Sequence, residues 1–126
     1  MTSWAHLPNA VHIDRVLASA LANEYRWVQV RTEERGAAWD AAWHTSWLAA
    51  RSVLLAQSRE AAWSVARDAS WAVARDAILA LVAYDDCAYM LDSDPGELAI
   101  LAAFGDPRAI LLLPACKVFH ALKELA

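Results

Sequence analysis

The chain is short of the residues that interrupt helices. It holds three glycines and four prolines among 126 residues, and none of either lies between Ala37 and Asp94. It has two cysteines, Cys87 and Cys116, too few for a disulfide-stapled secreted scaffold, so reduced thiols in a cytoplasm are expected. Long hydrophobic runs are absent as well. Charge-free stretches such as Ala41–Ala50 are about ten residues, against the ~20 needed to span a bilayer. The opening MTSWAHLPNAVHID lacks a basic segment followed by an apolar core, so no signal peptide is expected. Basic excess is missing too. The formal net charge is −4, which argues against a nucleic-acid footprint. There is no phosphate-binding loop, no GxSxG and no HExxH.

What is abundant is Ala, Leu, Arg and Trp, and the first three are strong helix formers. As a single helix, residues 37–94 would extend roughly 87 Å at 1.5 Å per residue. A domain of this size has a radius of gyration of only ~14 Å, so the run must fold back on itself. The break is expected at QSRE, where Ser58 can cap a new helix with Glu60 in its first turn, with Asp85–Asp86 as a second candidate. Upstream, Asn9 is a good N-cap for AVHIDRVLASALANEY, where Val11, Val16, Leu17, Ala20 and Leu21 fall near helical spacing. RWVQVRTEERG alternates like a strand at Val28 and Val30, but Glu33, Glu34 and Arg35 favour a helix ending at Gly36. Downstream, Ser93 or Asp94 caps a helix with Pro95 at its first position, and Gly105 ends it. Asp106 and Pro107 repeat that start signal, and Pro114 is expected to kink or break the chain before ACKVFHALKEL. The prediction is an all-α compact bundle of about five to seven helices, with the tetrad-repeat helices as antiparallel neighbours. It forms one domain over 1–126: an N-terminal helical segment 1–36, tetrad-repeat helices 37–92 and short C-terminal helices 93–126.

The tetrad is the most regular feature. AAWSVARD at 61–68 is followed by ASWAVARD at 69–76. Cut into fours, residues 37–80 place Trp39, Trp43, Trp47, Arg51, Leu55, Arg59, Trp63, Arg67, Trp71, Arg75 and Leu79 at every third position. On a helix each step of four rotates a side chain by about 40°, so the row cannot be one seam on one straight helix. It works locally: bulky groups one turn apart lie over one another while small residues between them admit a neighbouring helix. In Trp63–Arg67–Trp71–Arg75 each guanidinium can lie on an indole. Such a row serves as packing, as a surface stacking a base with Arg on phosphate, or as a partner interface anchored by Trp and Arg.

Other constellations are sparse. Cys116 and His120 stand four apart, a spacing that can present two metal ligands, with Cys87, His44 or Asp86 to complete a site; two ligands alone are weak evidence, and no metal or cofactor is assigned. Asp85 and Asp86 immediately precede Cys87, where negative charge and burial blunt a thiol as a nucleophile. No catalytic residue is assigned. Residues 77–126 carry seven acids against Arg108, Lys117 and Lys123, and Asp85, Asp86, Asp92, Asp94, Glu97 and Asp106 would steer toward a basic surface.

The tetrads lead into LVAYDDCAYMLDSDPGELAILAAFGDPRAILLLPAC at 81–116. That combination resembles a group of small phage and prophage proteins with Trp/Arg-Ala-Ala tetrads of variable number, over roughly residues 37–116. The resemblance implies a small accessory protein that binds and blocks a host component, in the cytoplasm of a bacterial host. Inhibitors of CRISPR and other bacterial immunity systems fit that description. The expected function is therefore non-enzymatic binding of a host protein, without membrane or direct nucleic-acid contact; a homodimer is compatible with it. The binding candidates are Trp39, Trp43, Trp47, Trp63, Arg67, Trp71, Arg75, Asp85, Asp86, Asp92 and Asp94. The alternatives are a module holding a nucleotide or similar planar anion on Trp and Arg, and a structural, self-assembling helical protein.

Overall fold

A computed structural model describes the backbone of residues 7–33, 37–56 and 69–125, and the side chains of 7–30, 38–50 and 74–125. Among these residues the chain forms six α-helices, one 3-10 helix and no strand: α1 Ala10–Ala22, α2 Glu24–Glu33, α3 Ala37–Ala56, α4 Ala69–Ala83, the 3-10 helix Ala88–Asp92, α5 Pro95–Ala103 and α6 Pro107–Leu125. The protein is an all-α bundle. None of the described helices is long and apolar enough to cross a membrane. The expected break at QSRE, with Ser58 and Glu60, and the end at Gly36 lie outside the described residues.

Helix α4 is the hub. Ala74 and every residue from Asp76 to Val82 are buried, so the helix is covered all round. Helices α1, α2, α3 and α6 pack against it, while α5 packs on α6. The tetrad helices α3 and α4 are neighbours, but not antiparallel ones. Trp39 pairs with Asp76 and Ser46 with Tyr84, so contacts advance in the same direction along both helices. A constant separation of 37 and 38 residues is the mark of parallel helices.

Local signals place the helix ends downstream. The Asp94 carboxylate accepts from the Glu97 backbone N–H at 3.1 Å, with Pro95 at the first helical position. At the other end of α5, the Gly105 N–H donates to the Ala102 carbonyl and the Asp106 N–H to the Leu101 carbonyl. That pair is the Schellman closure, and it needs the positive φ of 87° that Gly105 adopts. Asp106 then caps α6 through the Arg108 N–H at 3.0 Å.

Three expectations need correcting. Pro114 neither breaks nor ends its helix: α6 runs from Pro107 to Leu125 through it. The lost N–H leaves the Ile110 carbonyl without its usual partner. Burial of Leu111, Leu112, Leu113, Ala115, Cys116 and Val118 on both sides of Pro114 holds the helix together. In α1 the inward face is Ile13, Val16 and Ala20, whereas Val11 and Leu21 are exposed. That helix stops at Asn23 because the Asn23 side-chain amide and N–H both donate to the Ser19 carbonyl, capping the last turn.

Asn9 is the third. It occupies the N-cap of α1 but makes no side-chain cap bond. Its amide nitrogen donates instead to the carbonyls of Leu81 at 3.0 Å and Tyr84 at 2.9 Å. Leu81 lies in the last turn of α4 and Tyr84 directly follows it, where carbonyls have no partner within the helix. Cys87 completes the closure, its thiol donating to Tyr84 and Ala80 carbonyls at 3.3 and 3.5 Å.

Candidate functional site

The described part of the tetrad row forms one aromatic column. The Trp39 and Trp43 rings lie 6.4 Å apart and tilted, and Trp43 and Trp47 lie 5.7 Å apart and stacked. The 40° drift per step is visible along it: Trp39 is buried, at 6% exposed, while Trp43 and Trp47 are half-buried. Arg75 reaches across from α4 to place its guanidinium 5.6 Å from the Trp43 ring centre. The Trp39 indole N–H donates to the buried Asp76 carboxylate at 3.2 Å. Beyond Trp47, the Ser46 and Tyr84 hydroxyls are hydrogen-bonded at 3.1 Å. This column joins α3 to α4. Trp63 and Arg67 lie outside the described residues; Trp71 lies on α4, but its side chain is not described.

Two donors in this column end without an acceptor among the described residues. They are the buried indole Nε1 of Trp43 and the buried Nε of Arg75. An N–H removed from water with no acceptor costs ~1–3 kcal/mol, so the place has capacity for an acceptor group.

The acidic residues are largely engaged within the chain. Asp92 and Arg15 form a two-pronged ion pair, one arm at 2.9 Å, and Lys123 approaches Asp92 at 3.9 Å. Arg15 is steadied by lying over Phe119, 4.3 Å from its ring centre. Its hydrogen bonds hold the Asp92 carboxyl below the ordinary range. Arg108 spans Asp86 at 3.2 Å and Asp106 at 3.1 Å, and the same effect lowers the Asp106 carboxyl. Asp94 serves as the cap of α5, while Asp85 and Glu97 are exposed. A carboxylate beside a guanidinium has little net field at a distance, so less of the acidic third is left for steering than its charge count implies.

Cys116 and His120 do not converge. Cys116 is buried and donates to the Ser93 carbonyl at 3.1 Å, whereas His120 is exposed and faces Glu124 at 3.4 Å. One residue therefore points into the bundle and the other out of it. No group of three or more possible metal ligands occurs among the described residues. Burial, reinforced by Asp86, pushes the Cys87 thiol up to about 12. Burial, with Asp94 and Asp92, pushes Cys116 to about 11. Relative to a thiol at 9.0, Cys87 carries roughly a thousandfold less thiolate at a given pH. Neither thiol is therefore expected to react with iodoacetamide at mild alkaline pH in the folded protein. Both should label promptly in urea, as read by mass spectrometry. Rapid native labelling at Cys87 would show that the end of α4 opens.

An apolar surface lies elsewhere, and the sequence reading missed it. Ile100, Leu101 and Phe104 stand exposed on α5, Phe104 at 86%. Beside them a groove opens between α3 and α5 above α6, walled by Ala38, Ala42, Ala99 and Ala102 and floored by Ile110 and Leu113. The available signal was that α5, PGELAILAA, carries one charge in nine residues, which on a helix lying at the bundle surface leaves apolar side chains in water.

Comparison of the chain with protein-family models, curated proteins and solved structures finds no match.

Proposed function

We propose that this is a non-enzymatic accessory protein, of phage or prophage type, that acts by docking on a host protein, and that its target is a component of a bacterial defence system in the host cytoplasm. The observation that carries the binding reading is the exposed apolar side of α5, with Ile100, Leu101 and Phe104 next to an alanine-walled groove. Large aromatic side chains left in water beside a concave apolar surface are the usual anchors of protein interfaces. The phage and defence assignment draws on the resemblance of residues 37–116.

The test is a pull-down from bacterial lysate, with Phe104→Asp as the paired variant. Phe104 is so exposed that the substitution should leave the thermal melt unchanged. A specific protein retained by the wild type and lost with Phe104→Asp supports the reading; an empty pull-down or equal capture by both overturns it. One observation favours the planar-anion alternative, namely the two buried donors of Trp43 and Arg75. That alternative requires micromolar nucleotide to quench tryptophan fluorescence saturably with no partner present, and Arg75→Leu to abolish the quenching.

A further inference from the structure

Arg75 enters the α3–α4 junction with no carboxylate in ion-pair range among the described residues. Its Nε–H, closed to solvent, has no acceptor there either. The Trp43 indole N–H is in the same state. These two donors come from facing helices, and the Arg75 Cζ lies 5.6 Å from the centre of the Trp43 ring. Arg15 lies on Phe119 at 4.3 Å, so by comparison the Arg75 guanidinium stands off its indole. Two buried donors, one of them charged, thus share one small region of the junction. Leaving both without an acceptor is costly, and one group placed between them would satisfy both.

Access and charge select the occupant. Both N–H groups are closed to solvent, so a nucleotide base would have to part α3 from α4 to reach them. Asp76, the next residue on α4, is a buried carboxylate that already accepts from the Trp39 indole N–H at 3.2 Å. A doubly charged phosphate would add two negative charges near that carboxylate against a single guanidinium, whereas one negative charge is balanced by Arg75. A weakly hydrated monatomic anion also gives up its water at lower cost than an oxyanion and accepts from any direction. We propose that Trp43 Nε1 and Arg75 Nε together bind a chloride ion that bridges α3 and α4.

The ion fastens the two tetrad helices to each other, through hydrogen bonds that are roughly twice as strong as neutral ones because a partner is charged. Its donors stand on different helices, so the folded chain binds it and the unfolded chain does not. Stability therefore rises with chloride by mass action: at about ten times the Kd the equilibrium shifts about tenfold toward the folded form. This site goes beyond the docking reading and does not depend on the α5 surface.

Chloride titration of the full chain at constant ionic strength, with fluoride replaced stepwise by chloride, tests it. Fluoride holds its water too tightly to enter a buried site. In the wild type the urea midpoint should rise with chloride and level off. The protein should also broaden the chloride NMR line, and bromide should reverse the broadening. Trp43→Phe keeps a ring in the column and every charge in place but removes the N–H; Arg75→Leu removes the charged donor. Each variant should lose both effects, read as the dependence on chloride and not as absolute stability. If circular dichroism shows that Arg75→Leu does not fold, Trp43→Phe decides alone. A wild type indifferent to chloride, or a Trp43→Phe variant that responds as the wild type does, overturns the proposal. Displacement of the ion by micromolar adenosine monophosphate overturns it too, because the donors would then belong to a planar oxyanion. The docking reading fails separately: Phe104→Asp should keep the full chloride response whatever the pull-down returns.

Discussion

Trp39→Ala is expected to lower the unfolding free energy by ~3–5 kcal/mol, the range for removing a large buried aromatic. Trp39 is nearly fully buried, contacts Trp43 along α3 and donates to Asp76 on α4, so its removal loosens the α3–α4 junction from both helices. Trp39→Phe separates the two contributions. It retains most of the apolar contact but deprives a buried carboxylate of its indole donor, which should cost ~1–3 kcal/mol. In an Asp76→Asn background the Phe substitution should cost measurably less, because the charge that needed the donor is gone. Urea denaturation of the four chains gives the coupling directly. If Trp39→Ala melted like the wild type, the column would not be core, and a ligand- or partner-binding role for the Trp row would regain weight.

Asn9→Ala should cost ~1–3 kcal/mol, since it strands the buried Leu81 carbonyl at the end of α4 and leaves the Tyr84 carbonyl to the weak Cys87 thiol donor. The sharper outcome concerns Asn9→Asp. At an ordinary helix N-cap Asp serves as well as Asn, so that substitution would be neutral. Here the side chain must donate, and a carboxylate would face the Leu81 and Tyr84 oxygens at the negative end of the α4 dipole. Asn9→Asp should therefore destabilise at least as much as Asn9→Ala at neutral pH. The introduced carboxyl would have a raised pKa in the folded state, and the protonated form can donate. The deficit should therefore shrink as pH falls through that raised value, where an ordinary cap would weaken instead. Equilibrium unfolding at neutral and mildly acidic pH reads both effects. An Asn9→Asp variant as stable as the wild type at neutral pH would mean that Asn9 only caps its own helix.

These two residues show where the sequence reaches and where it stops. The all-α class follows from the Gly- and Pro-free run 37–94 and its helix-forming composition. The Asp94–Pro95 and Asp106–Pro107 starts and the Gly105 stop are equally legible, because caps are satisfied within a turn of the chain. The stacking of Trp39, Trp43 and Trp47 is legible for the same reason: residues four apart on a helix are neighbours whatever surrounds them. Which way a helix turns its faces is not local. Val11 and Leu21 share the spacing of a core face, yet the neighbours of α1 cover Ile13, Val16 and Ala20 instead. The partners of Asn9 are 72 and 75 residues away, and Asp92 meets Arg15 across 77. No periodicity carries that information, since an Asn or Asp offers its hydrogen bonds wherever packing delivers an acceptor or donor. Pro114 is the opposite case, a local breaking signal that buried side chains on both sides override. The exposed side of α5 was written in its composition as apolar, but only the placement of α5 on the outside of α6 decides that Phe104 meets water. Local hydrogen-bond and steric rules make the helices and their ends; long-range burial decides which side chains are spent on holding them together and which remain free to bind.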